Sequence, residues 1–518
     1  MNELLPRKAS FAPGEVVRIE VHGAATGIVR IWHLGDLVSE TSYAGGEITL
    51  PPLPEGGYSV ELGELTTAIE IAADSRARLR YGFVASYAPD KDVAGVSDLV
   101  RRLHLTGVMF YDWAWRHADL MGGGERYDDP LGQPISLGTV RRLIDAVHGA
   151  GSRALGYAAV YGVGPGEWAD WSHTGLLKAD GINWSLGDFL YVVDPAAPDW
   201  LRHFTGDLVK ATSLGFDGFH LDQYGWPKAA IRADGALVDT GASFVTLIEG
   251  VRAALPDAHL VFNNVNDFPT RLTARTAQDA VYIEPWEPQL TLQSLADTVT
   301  RARLYGEGKP VVLAAYQHVY ETAGTDAADR ATALTMAMLF SHGATQILAG
   351  EADRLLTDPY YVRNWAMAPS TQALLKRWYD FLVAHDELLM PPSITEITHS
   401  YVGGYNGDLD VSFAAGTSET ATAGKIWRRV TRAGNRLVVH LINLADQSDT
   451  PWDAPREAFA PRQGTLRVRR LKDRTPIIRV ADPDGLGRLV DLSAAIDGEA
   501  ATVELPPLQV WQLITIDL

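Results

Sequence analysis

Hydrophobic and polar residues alternate in two different ways along the chain. In the first 78 residues, short runs such as VVRIEVHG (16–23) and GYSVELG (57–63) have strand-like patterns and are separated by turn-forming residues. This spacing is typical of a small β-sandwich. Strand-like runs return after about residue 386, for example RLVVHLINL (436–444), and predict a second β-sandwich.

Between these regions, short apolar strands alternate with amphipathic helices. One predicted helix carries Val140, Leu143 and Val147 at the spacing of a single helix face. Eight strand-then-helix units in roughly 300 residues match a (β/α)₈ TIM barrel, with an open, doubly wound sheet as the alternative. The eight predicted strands are YGFVASY (81–87), GVMFYDW (107–113), SRALGYAAVYG (152–162), FDGFHLDQYG (216–225), HLVFNNVND (259–267), AVYIEPW (280–286), KPVVLAAYQ (309–317) and ATQILAG (344–350).

We therefore predict a multidomain protein, in keeping with a length of 518 residues, which exceeds what one core usually supports. The predicted domains are an N-terminal immunoglobulin-like β-sandwich (1–78), a catalytic (β/α)₈ barrel (79–386) and a C-terminal β-sandwich (387–518).

Charge and composition exclude several classes of function. The chain has 45 basic and 64 acidic residues, a net charge of -19, which argues against nucleic acid or an anionic membrane surface as partner. It has no cysteine, so disulfides and thiolate chemistry are excluded. No run of about 18 apolar residues predicts a membrane span. The N-terminus lacks the apolar run of a secretory signal, which predicts a cytoplasmic protein, or a secreted one if a signal has been removed.

Two carboxylates close predicted barrel strands. In the fourth strand, the apolar Phe219 and Leu221 must face the helices, so Asp222 points into the barrel mouth. In the sixth strand, the same alternation turns Glu284 inward. Glu287 falls past that strand in a loop and ranks below Glu284. Because catalytic groups of TIM barrels lie at the carboxyl ends of strands, we predict that Asp222 and Glu284 are catalytic.

A pair of inward carboxylates suits the cleavage of glycosidic bonds. One carboxylate stays ionised to attack the anomeric carbon, and the other holds a proton for the leaving oxygen. Carboxyls about 5 to 5.5 Å apart give retention of configuration, and about 6.5 to 9.5 Å gives inversion. A salt-bridged or capping role at the top of the barrel is the structural alternative for the pair.

Aromatic and polar residues are dense at the same strand ends. Aromatic rings stack on the apolar faces of sugars while Asp and Asn bind the hydroxyls, although packing and loop capping are the alternatives for each residue. The predicted substrate-binding residues are Tyr111, Asp112, Trp113, His117, Tyr161, His220, Asn263, Asn266, Trp286, Tyr316 and Glu351. None of the 14 histidines has a metal-ligand spacing, so we expect no metal and no cofactor.

The strand-end motifs resemble glycoside hydrolase family 66, which contains endodextranases and cycloisomaltooligosaccharide glucanotransferases. The resemblance runs from Tyr81 to the eighth strand and is carried by YGFVASY, GVMFYDWAWRH, DDPLGQPISLGTVRRLIDAVHGAG, ALGYAAVYG, FDGFHLDQYG, FNNVN and VYIEPWE. It implies retaining cleavage of α-1,6-linked glucan, with an aspartate of the fourth strand as nucleophile and a glutamate of the sixth as acid/base. The matching residues are Asp222 and Glu284.

The chain departs from the family in two respects. Where members often have FDGWQGDTIG, it has FDGFHLDQYG, so His220 and Gln223 differ beside the nucleophile. Cyclising members usually carry an inserted carbohydrate-binding module, and no such insert fits in the short segments here. We therefore predict endo-acting hydrolysis of dextran or isomaltooligosaccharides. The alternatives are a transglycosylase that forms cyclic or longer isomaltooligosaccharides and, more remotely, a non-catalytic carbohydrate-binding protein.

Overall fold

The central domain is a barrel of eight parallel strands. The computed structural model describes residues 2–401, 406–469 and 475–517. The barrel strands neighbour one another in chain order, without the reversal that defines a doubly wound sheet. The TIM barrel prediction is therefore confirmed. The strands are Tyr81–Val84, Gly107–Phe110, Arg153–Ala159, Gly218–Asp222, His259–Val265, Ala280–Glu284, Val311–Leu313 and Ala344–Gln346.

Contacts between the regions of the first and eighth strands bring the two sheet edges together. Thr345 Oγ1 donates to the carbonyl of Leu79 at 2.9 Å, and the backbone N–H of Ala85 donates to Glu351 Oε2 at 2.8 Å. Gly350 has no room for a side chain, because an added Cβ would lie 2.3 Å from the backbone of Phe83. A close backbone approach thus completes the barrel.

A helix follows each barrel strand, and polar caps start several of them. Ser136 and Asp239 accept a backbone N–H of the first turn, and Thr291 forms a capping box with Ser294. The helix after the fifth strand is a single turn, unlike the others. In chain order the helices are Val93–Arg102, Leu137–Gly149, Pro198–Ala211, Thr240–Ala254, Thr270–Thr273, Leu292–Tyr305, Thr325–Ser341 and Pro369–Ala384, with additional short helices at Trp168–Trp171, Val319–Thr322 and Asp386–Leu389.

The N-terminal domain is a sandwich of a three-stranded and a four-stranded sheet around a core of its own. Its strands are Glu3–Pro6, Val17–His22, Gly27–His33, Asp36–Tyr43, Ile48–Leu50, Gly56–Leu62 and Leu65–Ile71. It joins the barrel through a fully buried ion pair, since the two terminal guanidinium nitrogens of Arg80 donate to the carboxylate of Glu70 at 2.8 and 2.9 Å.

The C-terminal domain packs a seven-stranded sheet on a four-stranded one. Its strands are Thr395–Glu396, Leu409–Phe413, Thr417–Ser418, Ile426–Ala433, Arg436–Asn443, Gly464–Arg469, Ile477–Ala481, Val490–Asp491, Ala495–Asp497, Ala500–Glu504 and Trp511–Asp517. Met1 and Leu518, which end the predicted domains, lie outside the described residues. Two sandwiches therefore flank the barrel, as predicted.

Short strands and 3₁₀ turns decorate the connections. The additional strands are Arg126–Asp128, Pro134–Ser136, Gly162–Val163, Leu176–Leu177, Ser185–Leu186, Leu190–Val192, Ala229–Arg232, Leu237–Asp239, Arg354–Leu355 and Trp365–Ala366. The 3₁₀ turns are Ser75–Arg78, Ser172–Thr174, Thr212–Leu214 and Thr398–Tyr401. Among the described residues, no helix is long and apolar enough to cross a bilayer.

Candidate active site

Asp222 and Glu284 are the last residues of the fourth and sixth barrel strands. Phe219 and Leu221 are fully buried, whereas Asp222 and Glu284 each keep partial access to solvent. The carboxyl ends of parallel strands meet at one end of a barrel, so both carboxylates lie at the mouth.

One amide group joins the two carboxylates. Asn263, on the fifth strand between them, donates from Nδ2 to Asp222 Oδ1 at 2.7 Å and to Glu284 Oε2 at 2.9 Å. These two distances, taken end to end, limit the separation of the two accepting oxygens to about 5.6 Å. The carboxylates are thus close enough to act on one glycosidic bond.

Asp222 is surrounded by hydrogen-bond donors. Its Oδ2 accepts from the hydroxyl of Tyr157 at 2.7 Å, while Oδ1 accepts from Asn263. Burial raises the pKa of Asp222 above its usual range, but these donors and the backbone N–H of Gln223 act in the opposite direction. The donors therefore favour the ionised form, which a nucleophile requires.

Glu284 is buried beside a second negative charge. Burial, followed by the negative charge of Asp222, raises the pKa of Glu284 to about 7, although hydrogen bonds with Asn263, Tyr316 and Trp286 limit the rise. Near neutral pH Glu284 thus keeps a substantial protonated fraction. A carboxyl that holds its proton beside a carboxylate rich in hydrogen-bond donors is the arrangement expected of an acid and a nucleophile.

This setting predicts how activity depends on pH. We expect kcat/KM on an unactivated glucan to fall as the pH rises through about 7, because Glu284 loses the proton that the leaving oxygen needs. A pH–rate profile measures this, with an activated aryl glycoside as the control substrate whose leaving group needs little protonation. An alkaline limb that is equally steep for both substrates would contradict the assignment.

A group of tyrosines packs beside one side of the site. The ring of Tyr111 stacks on Tyr361, with centroids 4.3 Å apart and planes 12° apart, and lies 5.1 Å from the ring of Tyr157. The hydroxyls of Tyr282 and Tyr361 are hydrogen-bonded at 2.8 Å. Tyr361 follows the eighth strand in a segment without strand pattern, so sequence periodicity gave no signal for it. The signal for Tyr157 was its place in an aromatic cluster, which did not reveal its bond to Asp222.

Asp112 and His117 follow the second strand near this wall. Burial, with the charges of Asp129 and Asp222, raises the pKa of Asp112 to about 8. Its carboxyl thus holds a proton at neutral pH and can donate to a hydroxyl. His117 is almost completely buried, and burial lowers its pKa to about 4, so its ring is neutral.

Trp113 and Tyr161 support the walls of the site and do not line the mouth. Both side chains are fully buried. The indole of Trp113 donates to the carbonyl of Tyr157 at 3.1 Å, and the hydroxyl of Tyr161 donates to the carbonyl of Trp226 at 2.6 Å. Both side chains thus make hydrogen bonds to backbone, and their direct contact with substrate stays a prediction.

His220 and Glu351 also have partners inside the protein. His220 is buried, and its ring stacks on those of Tyr81 and Tyr157. Burial lowers the pKa of His220 to about 3, so the ring is neutral packing next to the site. Glu351 forms an ion pair with Lys91 and accepts the backbone N–H just after the first strand, so it helps to close the barrel, and its contact with substrate stays a prediction.

Asn266, Trp286 and Tyr316 lie on the side of the mouth that belongs to Glu284. Asn266 donates to the carbonyl of Glu287 at 2.8 Å and accepts the N–H of Trp286 at 3.2 Å, so it positions the loop after the sixth strand. Trp286 is 39% exposed, and its ring centroid is 6.1 Å from that of the buried Tyr316. Trp286 is thus an open platform next to the proposed acid.

In the described part of the chain, no three His, Asp or Glu side chains converge to hold a metal ion.

The family model for glycosyl hydrolase family 66 matches residues 6–515. The chain belongs to this family. It is 28% identical over 378 residues to a cycloisomaltooligosaccharide glucanotransferase from Niallia circulans, which covers 61% of this chain and 38% of that protein. A second glucanotransferase of the same name and organism is 27% identical over 372 residues. The chain thus spans about 38% of the length of the curated relatives it matches.

Solved structures support the fold. A cycloisomaltooligosaccharide glucanotransferase from Paenibacillus sp., crystallised with cycloisomaltoheptaose, superposes with a TM-score of 0.88 at 21% identity over 99% of each chain. A maltogenic α-amylase from Thermotoga neapolitana superposes with a TM-score of 0.54 at 10% identity, over 85% of this chain and 99% of its own.

Proposed function

We propose that this protein is a retaining enzyme that cleaves α-1,6-glucosidic bonds and transfers the glucosyl chain to a saccharide acceptor. The observation that carries the proposal is the shared amide of Asn263, which donates to both carboxylates and so keeps their accepting oxygens within about 5.6 Å, a limit that is compatible with double displacement. The linkage and the preference for transfer rest on family membership and on the glucanotransferase relatives.

In the first step, Asp222 attacks the anomeric carbon. The bond from this carbon to the glycosidic oxygen breaks as the bond to the Asp222 carboxylate forms, and Glu284 gives its proton to the departing oxygen. Tyr157 and Asn263 hold the attacking carboxylate in one orientation, which lowers the entropy cost of reaching the transition state. The product is a glycosyl-enzyme ester with inverted configuration.

In the second step, Glu284 acts as a base. As a carboxylate it takes the proton of an incoming hydroxyl, whose oxygen attacks the anomeric carbon and releases Asp222. Two inversions give net retention. A sugar hydroxyl yields a transfer product, the free end of the same chain yields a cyclic one, and water yields hydrolysis. Only the acceptor distinguishes these outcomes.

Transfer is favoured over the hydrolysis predicted from sequence for two reasons. Both curated relatives are named as glucanotransferases. The exposed Trp286 next to Glu284 offers a platform on which an acceptor sugar can stack, which raises the local concentration of sugar hydroxyls relative to water.

A panel of α-linked glucans tests the proposal. We expect products from dextran and isomaltooligosaccharides only, with longer or cyclic α-1,6 products detected by chromatography and mass spectrometry. A reaction run in ¹⁸O-labelled water measures hydrolysis separately, because only hydrolysis places the label in the products. Equal or faster action on an α-1,4-glucan would refute the substrate class, and labelled linear products alone would establish hydrolysis instead of transfer.

A further inference from the structure

One loop of the C-terminal sandwich extends to the rim of the active site. We call residues 446–459 the C-terminal arm. Its Trp452 is 6% exposed and belongs to the hydrophobic core of the barrel. Arg330 Nε donates to the carbonyl of Arg456 at 2.8 Å, and the N–H of Arg456 donates to the carbonyl of Ala327 at 3.3 Å. The arm is thus attached to the helix Thr325–Ser341 as part of the barrel wall.

The arm holds the loop that follows the catalytic glutamate. The indole N–H of Trp452 donates to the carbonyl of Gln289 at 2.8 Å, and its backbone N–H donates to the carbonyl of Leu290 at 3.2 Å. Asn266 holds the same loop from the barrel side. The loop that carries Trp286 is therefore held by two domains.

The arm also holds the loop that follows the seventh strand, through Asp453. Its Oδ1 accepts the N–H of Val319 at 2.9 Å, and its Oδ2 lies 3.2 Å from His318 Nδ1. One carboxylate thereby fixes both the backbone and the imidazole. Among the described residues, His318 Nε2 has no hydrogen-bond partner, and the side chain is 39% exposed. His318 is held at one nitrogen and has the other available.

His318, Tyr316 and Trp286 form a row of rings on the side of Glu284. The centroid of Tyr316 lies 6.4 Å from that of His318 and 6.1 Å from that of Trp286. The side-chain partners of Asp222 come instead from the third and fifth strands. Because the acid protonates the oxygen of the departing sugar, the row borders the position of the leaving group and of the acceptor that replaces it.

We propose that the C-terminal arm completes the acceptor half of the active site. Asp453 orients His318 so that Nε2 hydrogen-bonds a hydroxyl of the acceptor glucose, while the ring of that sugar stacks on Trp286. His318 is then a residue for acceptor recognition, and Asp453 is a positioning residue. This inference rests on the proposed function and extends it, since the arm would govern the partition of the glycosyl-enzyme between sugar and water.

The test separates glycosylation from acceptor use. The donor is an aryl α-isomaltooligosaccharide with a good leaving group, and the acceptor is isomaltotriose at rising concentration. In Asp453→Ala and His318→Ala, we expect aryl release without acceptor to stay within about twofold of the parent, while the KM for acceptor rises about tenfold and the transferred fraction falls. If the two residues had a merely structural role, aryl release without acceptor and the transferred fraction would fall together.

The control variant is Glu457→Ala, which removes another carboxylate of the arm. Glu457 is exposed, and its carboxylate has no partner in the described structure, so this variant should match the parent in both readouts. The double variant of Asp453 and His318 should lose no more than His318→Ala alone, because both act through one imidazole.

Three outcomes would count against the inference. An unchanged acceptor KM in His318→Ala would overturn it. If Asp453→Ala proves unstable, with a lower melting temperature, His318→Ala still tests the inference, because it leaves the other contacts of the arm in place. Additive losses in the double variant would remove the positioning role of Asp453. A parent that transfers to water only would refute the acceptor site, whereas a parent without action on α-1,6 linkages would refute the proposed function itself.

Discussion

Asp222→Asn is expected to lower kcat by at least about 1,000-fold, because an amide does not form the covalent intermediate. A tenfold change corresponds to about 1.4 kcal/mol of transition-state stabilisation, so the loss exceeds about 4 kcal/mol. Initial rates on an isomaltooligosaccharide measure it, and the melting temperature checks that the fold persists. Retention of more than a few per cent of activity in a clean preparation would contradict the assignment.

Asp217→Asn is the matched control for this variant. Asp217 lies just before the same barrel strand, at its opposite end, where its carboxylate accepts from the backbone N–H of Ala154 at 2.8 Å and contacts His148. The same isosteric change therefore alters a carboxylate far from the mouth, and we expect nearly full activity. A similar loss in both variants would point to destabilisation of the strand instead of missing chemistry.

Glu284→Ala is expected to lose nearly all activity on dextran and to regain turnover of an activated aryl glycoside when azide is added. The aryl leaving group needs little protonation, so glycosylation proceeds, whereas deglycosylation waits for a base. Azide attacks without a base and should yield a glycosyl azide of retained configuration, detected by NMR. The expected loss on dextran is about 100-fold to 10,000-fold, the range of general acid–base catalysis.

Glu287→Ala is the control for Glu284→Ala, because Glu287 lies three residues further along, in the loop that follows the sixth strand. Glu287 is exposed, and the contact of this residue with Asn266 uses its backbone carbonyl, which the substitution leaves in place. Azide should have no effect on this variant. If azide rescued Glu287→Ala and failed with Glu284→Ala, the interpretation of the sixth strand would be wrong.

Sequence alone predicted the barrel and its two carboxylates because the relevant information is local. Alternation along Phe219, Leu221 and Asp222 depends on neighbours one or two positions apart, and burial of the two apolar residues turns the acid inward. For Trp113 alternation carries no such information. The preceding Asp112 has a φ of 44°, outside the strand region, so the strand pattern ends there and does not predict which way the indole points.

The sequence by itself determined the eight barrel strands, the flanking sandwiches and the places of Asp222 and Glu284 at strand ends, since periodicity acts within each element. Only the tertiary structure decided which groups meet. The amide of Asn263 touches two carboxylates from neighbouring strands, and Asp453 reaches His318 from 135 residues away in the chain. Burial of Glu284 next to another carboxylate, which sets its pKa, arises likewise from contacts between distant segments, and these leave no periodic signal in the sequence.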